Sequence, residues 1–403
     1  MFNSSTRMAS LLLAFGIFFA TSCSTTETTV TNQQNSSPVQ SYDQQLQELN
    51  YRIAESPGQG ELYIKKAKIL SEYSATFSNP AQRLPLYRNL KDLSLSDQGN
   101  LPEIEAIIKS AWNKEHSSGL RELQEQTETN LQEHQSIIAH FDNAITLIPD
   151  SLQTYFLKAT TLYRTGNLHD AIGTLETAKN FTAENHSEID EKIAYLNLES
   201  GNVQEAISMY NQLAETYPDV EHYQNGLINA LIINEQHEDA ITMLRELSET
   251  YPVRFFYRES LATETYFLVK KESESLLQSD PDQTNISENL DRIISYLDES
   301  HELFSSLSSQ IPVHEEGTLR IAAFYKNSAI LLGTLTDELP LKQDEQEMLE
   351  DRYINFLEHS LPLWERLTEM NPDNMDYILN LQEVYRTLGM DEEADAIERS
   401  ITF

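Results

Sequence analysis

Cysteine occurs once in the 403 residues, at Cys23, so the chain can form no internal disulfide and no thiolate cage for zinc. Glycine is scarce, twelve in all, which argues against a loop-rich β fold or a glycine-lined phosphate cradle. Basic residues number 28 against 64 acidic ones, a formal net charge of −36. Such a surface repels phosphate backbones, so nucleic acid is not an expected partner. Only Trp112 and Trp364 could offer indole rings for stacking sugars. The one sustained apolar run, Leu11–Ala20 (LLLAFGIFFA), falls short of the roughly 18 residues that cross a bilayer.

Motifs that carry chemistry are missing too. The sequence has no HExxH, GxxxxGKS/T or GxSxG, and His134 and His140 lie six apart, off a common helical face. Gly58-Gln59-Gly60 follows Pro57 and reads as a turn. Carboxylates are too abundant for one pair to stand out as acid and base. The segment Asp280–Asp291 spaces oxygen ligands as a calcium loop does. Yet Asn285 stands where the loop needs glycine, Asp291 where it needs glutamate, and Pro281 lies inside it. It reads as an interhelical turn, with Asn285 capping the next helix and Glu288 completing a capping box. No catalytic residue, metal or cofactor is expected.

What is present is a period. Pro149, Ala183, Pro218, Pro252, Pro312 and Pro372 stand 34, 35, 34, 60 and 60 residues apart. Eight residues before each comes an aromatic residue or leucine: Phe141, Leu175, Tyr210, Leu244, Phe304 and Trp364. Five before comes a small residue or leucine: Ala144, Ala178, Leu213, Leu247, Leu307 and Leu367. Ala171, Ala206 and Ala240 recur where two paired helices must approach closely, facing Ala159, Ala194 and Ile228. Gly166, Gly201 and Glu235 stand where a glycine could take positive φ and reverse the chain.

This pattern resembles the tetratricopeptide repeat over 152–252, and again in phase at 375–403 through Gly389 and Ala394. Ala183 for the closing proline, Glu235 for the turn glycine, and Gln382 and Glu398 at packing positions depart from it. The resemblance implies an all-α, right-handed solenoid of stacked antiparallel helix pairs. Each 60-residue interval is one repeat plus about 26 residues, which predicts long helices at 255–277, 285–308, 315–335 and 343–370. Further back, helices are predicted at 42–55, 60–76, from Asn79-Pro80 to 94–97, and at about 102–116. A break at Ser117-Ser118-Gly119 and then one helix over 120–148, roughly 44 Å long, are expected.

The N-terminus sets the compartment. Arg7, the apolar run and Ala20-Thr21-Ser22-Cys23 resemble a bacterial lipoprotein signal, with Cys23 as the lipidated residue. Ala20-Thr21-Ser22 also fits an ordinary cleavage site, which would free a soluble protein. Residues 24–41, polar and rich in Thr, Ser, Gln and Asn, read as a tether. The expected organisation is therefore a signal peptide at 1–22, a tether at 23–41 and divergent helical repeats at 42–149. Clear repeats follow at 150–252, and extended units with a closing helix pair at 253–403. The expected location is a bacterial envelope, lipid-anchored, at the outer membrane.

In tetratricopeptide repeats the first helix of each pair lines the concave face. Phase puts Phe156, Thr160, Tyr163 and Arg164 there, then Glu191, Tyr195 and Leu198, then Asn225 and Asn229, then Tyr266 and Phe267. Aromatic rings interleaved with amides suit an extended peptide. The lysines with which some members clamp an acidic peptide terminus are absent. The acidity favours a basic peptide or protein partner, although it also fits a hydrated surface suited to salt. The expected function is a non-catalytic, membrane-anchored protein-binding scaffold. The alternative is a glycan-capturing helical lipoprotein of the starch-utilisation type.

Overall fold

The computed structural model describes residues 41–96, 101–125, 131–181, 186–280, 285–310 and 314–401. These residues contain helices, turns and bends but no strand. The leader, Cys23 and the tether as far as residue 40 lie outside them, as do Ala183 and Pro312. The chain divides into two compact units, Met1–Pro57 and Gly58–Phe403. The described part of the first is α1 (Tyr42–Glu55). Its capping box joins Ser41 and Gln44: each side chain accepts from the other residue's backbone N–H. All that follows concerns the second unit.

That unit opens with α2 (Gly60–Ala75), a 3₁₀ turn at Pro80–Arg83, α3 (Leu84–Ser94), α4 (Pro102–Glu125) and α5 (Leu131–Leu147). Here two expectations fail. Ser117, Ser118 and Gly119 lie inside α4, and 120–148 is not one helix, since Gly119 of α4 packs side by side against Phe141 and His140 of α5. Packing explains the glycine. A Cβ at 119 would stand 2.9 Å from Phe141 Cε1 and 3.1 Å from His140 Cβ, so Gly119 permits α5 to close on α4. Beside this contact lies a buried polar knot. Glu115, with no exposed side-chain surface, accepts from Arg83 Nη1 at 2.9 Å and the Tyr87 hydroxyl at 2.8 Å, and pairs with His140 Nδ1 at 2.6 Å. Burial alone would raise the Glu115 carboxyl, but these partners outweigh it and hold the group at about 2.

Three regular pairs follow: α6 (Leu152–Arg164) with α7 (Leu168–Lys179), α8 (His186–Glu199) with α9 (Val203–Thr216), and α10 (Glu221–Ile233) with α11 (His237–Thr250). Ala171, Ala206 and Ala240 are completely buried, as the close approach of paired helices requires. Each first helix ends the same way. The N–H of Asn167, Asn202 and Gln236 reaches back five residues to the carbonyl of Leu162, Asn197 and Leu231, the Schellman arrangement. The residue just before each takes positive φ: Gly166 at 75°, Gly201 at 84° and Glu235 at 58°. Glu235 thus adopts the glycine conformation although it is not a glycine.

The long helices are α12 (Phe255–Gln278), α13 (Ile286–Gln310), α14 (Glu315–Glu338) and α15 (Gln343–Met370). The Asn285 side chain accepts from Glu288 N–H and caps α13 as expected, while the Glu288 carboxylate bonds the Asn285 amide rather than its backbone. A last pair, α16 (Met375–Thr387) and α17 (Asp391–Ile401), turns at Gly389 with φ 75°. The repeat phase survives both long intervals: Phe141, Leu175, Tyr210, Leu244, Phe304 and Trp364 are all buried. The core runs through this unit as successive local clusters, each bridging neighbouring pairs, the arrangement of a solenoid.

Candidate functional site

The first helices α6, α8, α10 and α12 present the residues that the phase assigns to one face. Phe156, Thr160, Tyr163, Tyr195, Asn225, Asn229, Tyr266 and Phe267 are half-buried, and Arg164 is exposed. Neighbouring first helices meet through these side chains. The Tyr163 and Tyr195 hydroxyls lie 3.2 Å apart across α6 and α8, with Glu199 Oε2 a further 3.5 Å acceptor for Tyr163. Burial, then the bond to Tyr163 and the charge of Glu199, push the Tyr195 phenol well above its ordinary range. Asn225 Oδ1 of α10 accepts from the Tyr257 hydroxyl of α12 at 3.0 Å. The Lys192 ammonium lies 4.8 Å above the Phe156 ring, a cation–π contact.

Not every candidate faces outward. Arg164 turns toward α4, its Nη1 donating to the Leu123 carbonyl at 3.3 Å. The Thr160 hydroxyl is used within its own helix, bonded to the Phe156 carbonyl at 2.8 Å. Tyr266 meets Phe324 of α14 edge-on at 5.4 Å, and burial raises its phenol to about 12. Phe267 stacks against His237 at 6.3 Å. These two rings brace the core as much as they line a face. Asn229 differs: its amide makes no hydrogen bond among the described residues.

Sequence reasoning missed the tyrosines that tie first helices together. Tyr257 donates to Glu221 Oε1 of α10 at 2.5 Å, and Tyr377 of α16 to Glu315 Oε1 of α14 at 2.9 Å. A signal was there to read, because Tyr223, Tyr257 and Tyr377 each stand five residues after Pro218, Pro252 and Pro372. Gly226 was also overlooked. A helix-interior glycine is worth roughly 1 kcal/mol less than alanine. At this place a Cβ would stand 2.2 Å from Tyr210 Cε1, clashing with the ring that crosses from α9 against the backbone of α10. The two tryptophans do not offer sugar platforms side by side: Trp364 is buried in the core and Trp112 is stacked on His116 at 4.8 Å.

Residues 191–219, from α8 to just past α9, match the family model of the tetratricopeptide repeat. No curated protein sequence matches the chain. Among solved structures, the MamA protein aligns at 12% identity over 51% of this chain and 98% of its own, with a TM-score of 0.36. A tetratricopeptide repeat protein from Parabacteroides merdae aligns at 12% identity over 79% of this chain and 99% of its own, TM-score 0.33. YrrB, described as having an unusual peptide-binding site, aligns at 10% identity over 64% of this chain and 93% of its own, TM-score 0.31.

Proposed function

We propose that this tetratricopeptide repeat protein is a non-catalytic scaffold that holds an extended polypeptide along the face of α6, α8, α10 and α12. The supporting observation is the row of half-buried rings and amides contributed by successive first helices, in which the Asn229 amide is left unengaged. An extended peptide needs main-chain partners at intervals and apolar surface between them, and amides alternating with rings supply both. The excess of 64 acids over 28 bases favours a basic partner and disfavours nucleic acid. We further propose that the chain is tethered to a bacterial envelope membrane, the outer membrane, by lipid on Cys23, the reading that its lone cysteine and the short apolar run before it support.

The face is tested with a photo-crosslinking residue placed at Asn229 and, as a control, at Glu205 on α9. Partner polypeptide should be trapped from position 229 and not from 205. Tyr195→Ala with Asn229→Ala should weaken capture while circular dichroism stays unchanged. Trapping only from α14 or α15, for instance at Ile330 or Ile354, would overturn this assignment.

A further inference from the structure

Of the glutamates on the first-helix face, Glu221 and Glu259 are already answered by arginines of the chain itself. Glu221 Oε1 accepts from Arg254 Nη1 at 2.6 Å. Glu259 Oε1 of α12 accepts from Arg320 Nη1 of α14 at 2.5 Å. Glu191 of α8 stands 68 residues before Glu259, two periods earlier, and so at the same phase. Among the described residues no arginine meets it. Its nearest basic side chain is His222, whose Nε2 lies at 3.6 Å, beyond hydrogen-bond reach, on a side chain 57% exposed. Lys192, the next residue, is occupied elsewhere, above Phe156 and 3.9 Å from Glu188.

Tyr210 adds an independent observation. It is 5% exposed, and its hydroxyl makes no hydrogen bond among the described residues. Its ring lies against α10 in the space that Gly226 leaves open, and the Glu191 charge acts on its phenol. The ring is buried while the hydroxyl at its tip reaches the surface. Glu191 meets His222 and the Tyr210 ring meets Gly226, one turn apart on α10, so the carboxylate and the hydroxyl lie against the same stretch of that helix and can share a ligand. Burial pushes the Glu191 carboxyl above its usual range, and His222 and Lys192 only oppose that effect.

We propose that Glu191 and the Tyr210 hydroxyl form a subsite for the guanidinium or ammonium tip of an arginine or lysine side chain on an extended partner polypeptide. This deepens, and rests on, the reading of the first-helix face as a peptide-binding surface. The protein supplies its own precedent, since Arg320 fills the equivalent place opposite Glu259. The carboxylate takes the charge, and the phenol oxygen accepts a second N–H from the same group. Tyr195, one turn along α8, offers its ring to the aliphatic stem.

The test uses the full chain and three end-blocked, fluorescein-labelled peptides in which alanine alternates with arginine, lysine or citrulline. Citrulline keeps the shape of arginine without its charge. Fluorescence anisotropy should show the arginine and lysine peptides binding about tenfold or more tightly than the citrulline one. Glu191→Gln should remove that preference, and Tyr210→Phe should reduce it while leaving the ring in place. Glu205→Gln, on an exposed position of α9, should change affinity less than about twofold, as expected for a screened surface charge. Equal loss from Glu191→Gln and Glu205→Gln would mean general attraction to an acidic surface and would overturn the subsite, as would absence of any preference or of any binding. The two readings separate through Tyr195→Ala with Asn229→Ala. If that variant weakens all three peptides while Glu191→Gln does nothing, the subsite falls and the peptide-binding face stands. If cationic peptides depend on Glu191 but not on Tyr195 and Asn229, the extended face falls and the subsite stands.

Discussion

Glu235 offers the sharpest check on the repeat phase. Among the described residues it alone combines a side chain with positive φ, at 58°. Its counterparts Gly166, Gly201 and Gly389 sit at 75°, 84° and 75° and make the same pair of backbone bonds. For a residue with a Cβ the left-handed conformation costs about 1–2 kcal/mol. Glycine escapes that cost but loses about 0.5–1 kcal/mol through its freer unfolded chain. Glu235→Gly should therefore stabilise by about 0.5–1 kcal/mol, the difference between those terms. The Glu235 side chain is exposed, and the bond from Lys271 Nζ goes to its backbone carbonyl, so neither is sacrificed. Gly201→Ala should do the reverse, losing about 1 kcal/mol. Nothing lies within 4 Å of a Cβ built at Gly201, so that loss would be conformational rather than steric. Urea unfolding combined with amide hydrogen exchange across 186–250 reads both changes. A destabilised Glu235→Gly, or a neutral Gly201→Ala, would refute the argument that conformation selects the residue here.

Other expectations follow from the packing and the charges. Ala206→Phe should cost about 1–3 kcal/mol, because Ala206 is fully buried between α8 and α9; an unchanged melting temperature would mean that the pair is packed otherwise. Glu115 has a folded pKa of about 2 against an ordinary 4.5, so its contribution, about 3 kcal/mol, is fully present above pH 4.5 and is lost as pH falls toward 2. Acid unfolding of Glu115→Gln should lack that window; an identical profile would show that the knot does not govern it. Labelling with a fatty acid should mark the protein but not Cys23→Ala, whereas a soluble product with a free thiol would exclude the lipid anchor.

The helices were legible because their determinants are local. Recurring alanines mark close approach and glycines mark reversals, and a proline that cannot continue a helix marks the next beginning. All of these are readable without knowing what packs where. The same logic misled at Gly119, where glycine serves contact rather than reversal. Nothing within α4 reveals that Phe141 and His140, more than twenty residues on, need the space. A glycine in a helical stretch has two meanings, and only the partner chooses between them.

The face was harder to read than the fold, for a related reason. Phase places a residue on a side of a helix but does not say whether its polar atoms are already spent. Thr160, Arg164 and Asn225 all have the right position, yet each is engaged by the chain itself. Asn229 has the same kind of position and no such engagement. The distinction between Glu191 and Glu259 is finer still: both have the same phase and the same chemistry, and they differ only in whether an arginine from the next first helix reaches them. That arginine, Arg320, lies 61 residues beyond Glu259, across an elongated helix pair. The proposed subsite is thus defined by what fails to recur, and the missing arginine opposite Glu191 becomes visible only when the repeats are set side by side in three dimensions.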